Sequence, residues 1–224
     1  LVGGGRRAGP GQISLAHNGV LFMDEFPEFA RSVLETLRQP VETGEVIVAR
    51  ANAHIRYPCR FLLMAAANPC KCGGTELCSR GPKCSEDYLG RSSGPLMDRF
   101  DLRVDVPPVS FADLSLPATG DSSADVAARV SAARIRQKQR FDMMDGLSLN
   151  ADAEGEVLTK IAAPDNEGRD LLAQASKVFG LSARGYHRVL RVARTIADLD
   201  EEDMVRRHHI AEALSYRQPA LQAA

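Results

Sequence analysis

The sequence predicts an α/β region followed by a small all-α region, and three observations carry that expectation. Short apolar runs alternate with helical patterns over residues 1–107, residues 108–123 are rich in Pro, Ser, Asp and Thr, and helical periodicity continues from 124 to 224. Alternation of strand and helix is the signature of a parallel sheet, because parallel neighbours need a crossover between them. Residues 108–123 are read as a linker.

Val20–Met23 is the first buried strand. From Pro27 the apolar residues Phe29, Val33, Leu34 and Leu37 recur at helical spacing, Pro27 suits a first helical turn, and Pro40 is expected to stop the helix. Glu45–Ala49 and His54–Tyr57 flank the polar tip 50–53 and read as a hairpin. Phe61–Ala66 is the second buried strand and Leu102–Val106 a third, ended by Pro107-Pro108. Helices are expected near 123–143, 151–163, 165–178, 183–198 and 205–216.

Composition narrows the function classes. In 224 residues, 44% are hydrophobic, enough for a sizeable core, while 28 basic against 29 acidic residues give a net charge of -1. Nucleic acid could be held only by local basic patches. No apolar run approaches the ~20 residues of a membrane span, so a cytosolic protein with no membrane partner is expected. The chain opens on Leu1 and a glycine-rich stretch with no strand before it, which suggests a piece of a longer protein.

Asp24 and Glu25 end the first strand. Paired carboxylates at the C-terminal end of a parallel strand suit nucleotide hydrolysis, Asp24 holding the magnesium shell and Glu25 polarising the attacking water. A solvated strand end explains the same pattern. Asn68 follows the second strand and could orient that water, or simply form an Asn-Pro turn with Pro69. Arg99, in Met97-Asp98-Arg99-Phe100-Asp101, could stabilise transition-state charge on a neighbouring subunit's nucleotide, or pair with Asp98 or Asp101.

The segments from Ala16 to Phe29, Leu37-Arg38-Gln39-Pro40-Val41-Glu42, Ala67-Asn68-Pro69-Cys70 and Gly94–Asp101 resemble the Mg-chelatase-like YifB/ComM family of AAA+ ATPases. The resemblance covers nearly the whole chain. It implies the C-terminal part of a P-loop NTPase core and then a helical lid domain, with Asp24 and Glu25 as the Walker B pair, Asn68 as sensor 1 and Arg99 as the arginine finger. Ser182–Arg188 and the helix beyond it resemble the lid helix, which assigns sensor 2 to Arg184. It further implies ATP and Mg2+ as cofactors, a homo-oligomeric ring of hexamer type, and action on DNA in branch migration during natural transformation. A chelatase-type motor that remodels a partner for metal insertion is the alternative within the class. A non-catalytic zinc-stabilised binding module is the alternative outside it.

No Gly-x-x-x-x-Gly-Lys-Ser/Thr run occurs in the sequence, and Gly3-Gly4-Gly5-Arg6-Arg7 lacks its ending. The 224 residues alone are therefore expected to bind ATP poorly and not to turn it over.

Four of the five cysteines, Cys70, Cys72, Cys78 and Cys84, follow a C-x-C-x5-C-x5-C spacing. That spacing suits a tetrahedral Zn2+ site, although reduced structural thiols and adventitious disulfides remain open. Cys59 stands apart as a small buried apolar residue. The hairpin tip offers Arg50 and Asn52, with Arg56 nearby, where the resembling ATPases line a central pore. These residues are candidates for a DNA strand's phosphates or for a solvated loop. Arg129, Arg134, Arg136, Lys138 and Arg140 form the most basic stretch, read as a solvated face or a contact surface.

Overall fold

The computed structural model describes residues 1–4, 8–50, 53–72, 78–109, 111, 113–116 and 120–217. They fall into two compact units that divide after Phe100.

In the first unit, β1 (Gly3–Gly4) and β2 (Gly9–Pro10) pair antiparallel ahead of a short α1 (Gln12–Leu15). β3 (Val20–Met23) follows, then α2 (Arg31–Glu35) and α3 (Arg38–Thr43). One helix ended by Pro40 was expected here; two short helices form instead. Pro40 lies in the first turn of α3, where its missing N–H removes no helical hydrogen bond. Gly44, in the left-handed region at φ +68°, is what terminates α3, its N–H donating to the Pro40 carbonyl.

β4 (Glu45–Arg50) and β5 (Ala53–Pro58) pair antiparallel with Arg50 opposite Ala53, which is the expected hairpin. β6 (Leu62–Ala65) lies parallel to β3 in the register Val20 to Leu62 and Phe22 to Met64. α4 (Pro82–Leu89) and α5 (Gly94–Met97) complete the unit.

Period-two alternation sorts the β3–β6 sheet into two faces. Met23 packs with Ile13, Phe26, Leu34, Leu37, Val46 and Leu96 in a closed core. Val20, Phe22, Leu62 and Met64 point the other way and are 53%, 58%, 59% and 48% exposed. Parallel sheets are ordinarily covered on both faces. This one is covered on one.

The expected third strand does not form. Residues 102–109 have no regular structure, Val104 and Val106 are exposed, and the Arg103 N–H donates to the Tyr216 carbonyl at 3.0 Å rather than into a strand ladder. Strand propensity is realised only beside another strand.

The second unit is helical: α6 (Ser123–Phe141), α7 (Gly155–Ile161), α8 (Asn166–Phe179), α9 (Ala183–Leu199) and α10 (Arg207–Ser215). Caps explain the boundaries. The side chains of Ser122, Asp165 and Ser182 each accept a backbone N–H from the first turn of α6, α8 and α9, and Gly180 ends α8 in the left-handed region. The start expected near 151 for the second helix falls at Gly155, after a 3-10 turn over Asn150–Asp152. Leu158, Leu172, Val189, Ala193, Val205 and Ile210 close the core.

Candidate nucleotide site and cysteine cluster

The strand ends of the β3–β6 sheet build the first candidate site. Beyond the two strands, the Ala66 N–H donates to the Met23 carbonyl at 3.0 Å and the Phe26 N–H to the Ala66 carbonyl at 2.9 Å. The ladder therefore skips Asp24 and Glu25, which bulge out at the sheet's C-terminal edge as exposed carboxylates. Glu25 adopts φ +48°, ψ +42°, a left-handed conformation that costs a non-glycine residue on the order of 1 kcal/mol. The turn is held by Phe26 and Pro27 buried beneath it and by the Glu25 N–H donating to Asp24 Oδ1 at 2.9 Å. Asn68 leaves the same edge, exposed, two residues after the Ala66 anchor. The structure thus brings Asp24, Glu25 and Asn68 to one edge.

The segment after the cysteines packs against this turn. Arg91 Nη1 lies 3.4 Å from a Glu28 carboxylate oxygen, and Phe26 meets Phe100 edge to face at 5.5 Å between ring centroids. Tyr88 is buried, and burial first, then the nearby Glu28, Glu25 and Asp24 carboxylates, push its phenol above the usual value. Tyr88 carried no pattern in the sequence to single it out.

Arg99 is not at that edge. Its side chain is 10% exposed and folds onto α3: Nε donates to the Arg38 carbonyl at 2.9 Å, Nη1 to the Pro95 carbonyl at 2.6 Å and Nη2 to Glu42 Oε2 at 2.5 Å. Its carboxylate partner Glu42 lies 57 positions away in sequence, on α3. Glu42 stands in the Leu37–Glu42 motif, which was the available signal.

In the second unit, Arg184 is exposed in the first turn of α9, beside the Ser182 cap. The basic stretch of α6 resolves largely into internal pairs. Arg129 meets Asp121 at 3.2 Å, Arg136 pairs with Asp203, and Arg140 clamps Asp198 through both Nη atoms at 2.8 and 2.5 Å. Asp198 also accepts from Asn150 at 2.8 Å and from the buried Arg194 at 3.1 Å. Burial alone would raise the Asp198 carboxyl. Hydrogen bonds from Arg140 and Asn150, with the Arg194 charge, hold it below the usual value instead. The stretch read as a solvated face or a contact surface thus belongs in part to a buried network.

At the hairpin, Arg56 is exposed and lies 3.3 Å from Glu45 on the paired strand. Arg50 ends β4, and Asn52 lies outside the described residues.

The cysteine cluster forms a second site. Cys70 and Cys84 are buried, Cys78 half-buried and Cys72 exposed, and their four sulfurs lie within 4.8 Å of one another. Hydrogen bonding to the Cys78 and Cys84 thiols pushes Cys72 up to about 11. Cys59 is separate and buried, as expected, against the Pro40 carbonyl.

A small parallel strand pair with an acidic pair at its C-terminal edge, followed by a helical unit, is consistent with part of an AAA+ Mg-chelatase-like fold. Comparison with known families agrees: residues 1–114 match the magnesium chelatase subunit ChlI model and residues 120–217 its C-terminal model. The chain belongs to the YifB/ComM branch of the magnesium-chelatase family. It is 45% identical to competence protein ComM of Haemophilus influenzae and 43% identical to YifB of Escherichia coli, in each case over 97% of this chain and 42% of the relative. The magnesium-chelatase 38 kDa subunit of Rhodobacter capsulatus is more distant, 26% identical over 93% of this chain and 54% of its own length. The chain thus spans about two fifths of the first two relatives. No described helix is long and apolar enough to cross a membrane.

Proposed function

We propose that this chain supplies the hydrolytic half of an ATP-driven AAA+ ring motor that acts on DNA in the cytoplasm, with residues 1–107 as the C-terminal part of the ATPase core and 124–224 as its helical lid. The observation that carries this reading is the convergence of Asp24, Glu25 and Asn68 on the C-terminal edge of β3–β6, where α/β sheets bind their ligands.

Both carboxylates fit a magnesium nucleotide, being exposed and held outward by a constrained turn. Asp24 holds the Mg2+ shell, Glu25 takes up the proton of the attacking water, and Asn68 orients that water. When bound, ATP with Mg2+ supplies the phosphoryl group and neutralises its charge. Arg99 serves a neighbouring subunit's nucleotide, and in that role exchanges Glu42 for phosphate. Arg184 reaches phosphate from the exposed first turn of α9. The uncovered face of β3–β6 supports the same reading, since it offers the remaining layers of an α/β core an apolar seat.

DNA as partner rests on the closer likeness to ComM than to the chelatase subunit and on the β4–β5 hairpin with its exposed Arg56; in this reading Arg50, Asn52 and Arg56 line the pore of a hexameric ring. Branch migration is the corresponding action. A chelatase-type motor would share the nucleotide site but give no DNA stimulation.

The test uses the full-length protein. Glu25→Gln is expected to keep nucleotide binding and lower turnover by roughly 10²-fold or more, while Arg50→Ala and Arg56→Ala reduce salt-dependent DNA affinity and DNA-stimulated turnover. The hydrolytic assignment fails if Glu25→Gln turns over normally, or if the 224 residues alone hydrolyse ATP. The DNA assignment fails if both arginine variants match the parent.

A further inference from the structure

We propose that Cys70, Cys72, Cys78 and Cys84 hold one Zn2+ in a closed tetrahedral tetrathiolate site that serves as the core of the loop between β6 and α4. A tetrahedron with Zn–S bonds of about 2.3 Å has sulfur–sulfur edges of about 3.8 Å. Cys72 and Cys84 stand 3.8 Å apart, and all four sulfurs are mutually within 4.8 Å. A disulfide needs about 2.05 Å, and all four cysteines are free. The spacing fits a shared ion and no pairwise bond.

The backbone around the cluster is built to aim the sulfurs inward. The Gly81 N–H donates to the Cys78 carbonyl at 3.0 Å, closing a turn, and the Cys84 N–H donates to the Gly81 carbonyl at 3.1 Å, which places Cys84 in the first turn of α4. Gly81 sits at φ +53°, a conformation that favours glycine. From the other side, Ser85 Oγ donates to the Pro69 carbonyl at 2.7 Å, drawing α4 back to the residue before Cys70. Two ligands thus come from the exit of β6, one from the turn, and one from the helix.

Among the described residues of the loop, little else is placed to hold it. Lys71, Ser79, Arg80 and Lys83 are exposed, whereas Cys70 and Cys84 are 1% and 5% exposed. Thiols are weak hydrogen-bond donors and give four sulfurs, two of them buried, little reason to converge, while a metal ion makes that convergence a folding free energy. Four thiolates on Zn2+ leave a net charge of about −2. Lys71 and Lys83, each adjacent in sequence to a ligand, offset it.

This inference does not depend on the ATPase reading, and its test reads metal rather than activity. The protein, purified without added metal or chelator, is analysed for metal and for reactive thiols, and is digested with trypsin before and after a thiol-reactive mercurial with a zinc chelator. About one zinc per chain is expected, with the sites after Lys71, Arg80 and Lys83 resistant until the ion is released. Cys84→Ser should lose at least nine tenths of the zinc, whereas Cys59→Ser keeps it. Co2+ exchanged into the site should give the intense visible bands of a tetrahedral tetrathiolate. Wild-type protein with well under a tenth of an equivalent of zinc overturns the proposal. So does zinc that survives Cys84→Ser, or cleavage at the three sites that ignores release of the ion.

Discussion

Two apolar surfaces in this chain meet different fates. Leu158, Leu172, Val189 and Ile210 of the helical unit are at most 1% exposed, whereas Val20, Phe22, Leu62 and Met64 of the α/β unit are about half exposed on one face of a two-stranded sheet. Helices satisfy their own backbone, so the helices of this unit can surround one another and seal a core. A parallel sheet needs neighbours along its edges and layers on both faces, and the first unit has a layer on one. The polar groups divide the same way. Unit two buries an ion network around Asp198, and unit one presents its carboxylates outward at the strand ends. The helical unit seals its apolar surface within itself, and the α/β unit leaves one apolar sheet face and its strand-end carboxylates exposed.

The sharpest way to break this contrast is inside the buried network. Asp198→Ala leaves Arg194 1% exposed with its carboxylate gone and removes the clamp from Arg140. Deleting one member of a buried pair typically costs about 3–5 kcal/mol. Chemical denaturation followed by helical ellipticity should show that loss, and a change under about 1 kcal/mol would mean that the network does not hold the unit together.

A paired truncation sharpens it from the apolar side. Leu172→Ala opens a cavity in a sealed core and is expected to cost about 2–4 kcal/mol. Phe22→Ala, on the open face, should cost well under half of that in this chain, because much of the ring is already in water. Equal losses in denaturant titrations would show that the face is covered in solution. In the full-length protein, the Phe22→Ala cost should rise toward the Leu172→Ala value if further layers pack there.

Periodicity and punctuation made most of this legible in advance. The two parallel strands, the hairpin and the helical unit all follow from apolar spacing and Gly, Pro and Ser signals, which are local. What escaped the sequence depends on distant partners. Leu102–Val106 has strand composition, yet no described strand pairs with it, and propensity cannot create a neighbour. Pro40 read as a stop because proline in a first turn and proline after a last turn look alike until the helix start is known. Arg99 met Glu42, 57 positions away, a partner that proximity in sequence does not suggest. Arg140 belonged to a basic run read as a solvated face or a contact surface, although its partner Asp198, 58 positions on, is buried on α9. Of the candidate nucleotide site, the strand-end carboxylates and Asn68 were legible because they lie at the ends of elements; the left-handed turn that lifts Glu25 out of the ladder was not.

The smallest effect expected concerns acid, and it separates the units by titration. His209 is fully buried in the first turn of α10, where its Nδ1 accepts the Arg206 N–H at 2.9 Å and so must be unprotonated. Burial first, then the neighbouring His208, hold its pKa below the usual 6.5, against the opposing pull of Asp200 and Glu202. The folded state therefore binds this proton less readily than the unfolded chain. The stabilisation is complete above about pH 6.5 and is lost progressively as pH falls from there through the lowered folded value. Asp198, also held low, adds its own loss only below the usual carboxylate value of 3.8. Denaturant midpoints of the helical unit should accordingly fall in two stages on acidification, the first beginning near pH 6.5. His209→Gln keeps an acceptor for the helix start and has no proton to gain, so it should flatten the first stage and leave the second. An unchanged first stage in that variant would place the acid sensitivity on another group, and a first stage that persists when residues 1–100 alone are followed would place it in the other unit.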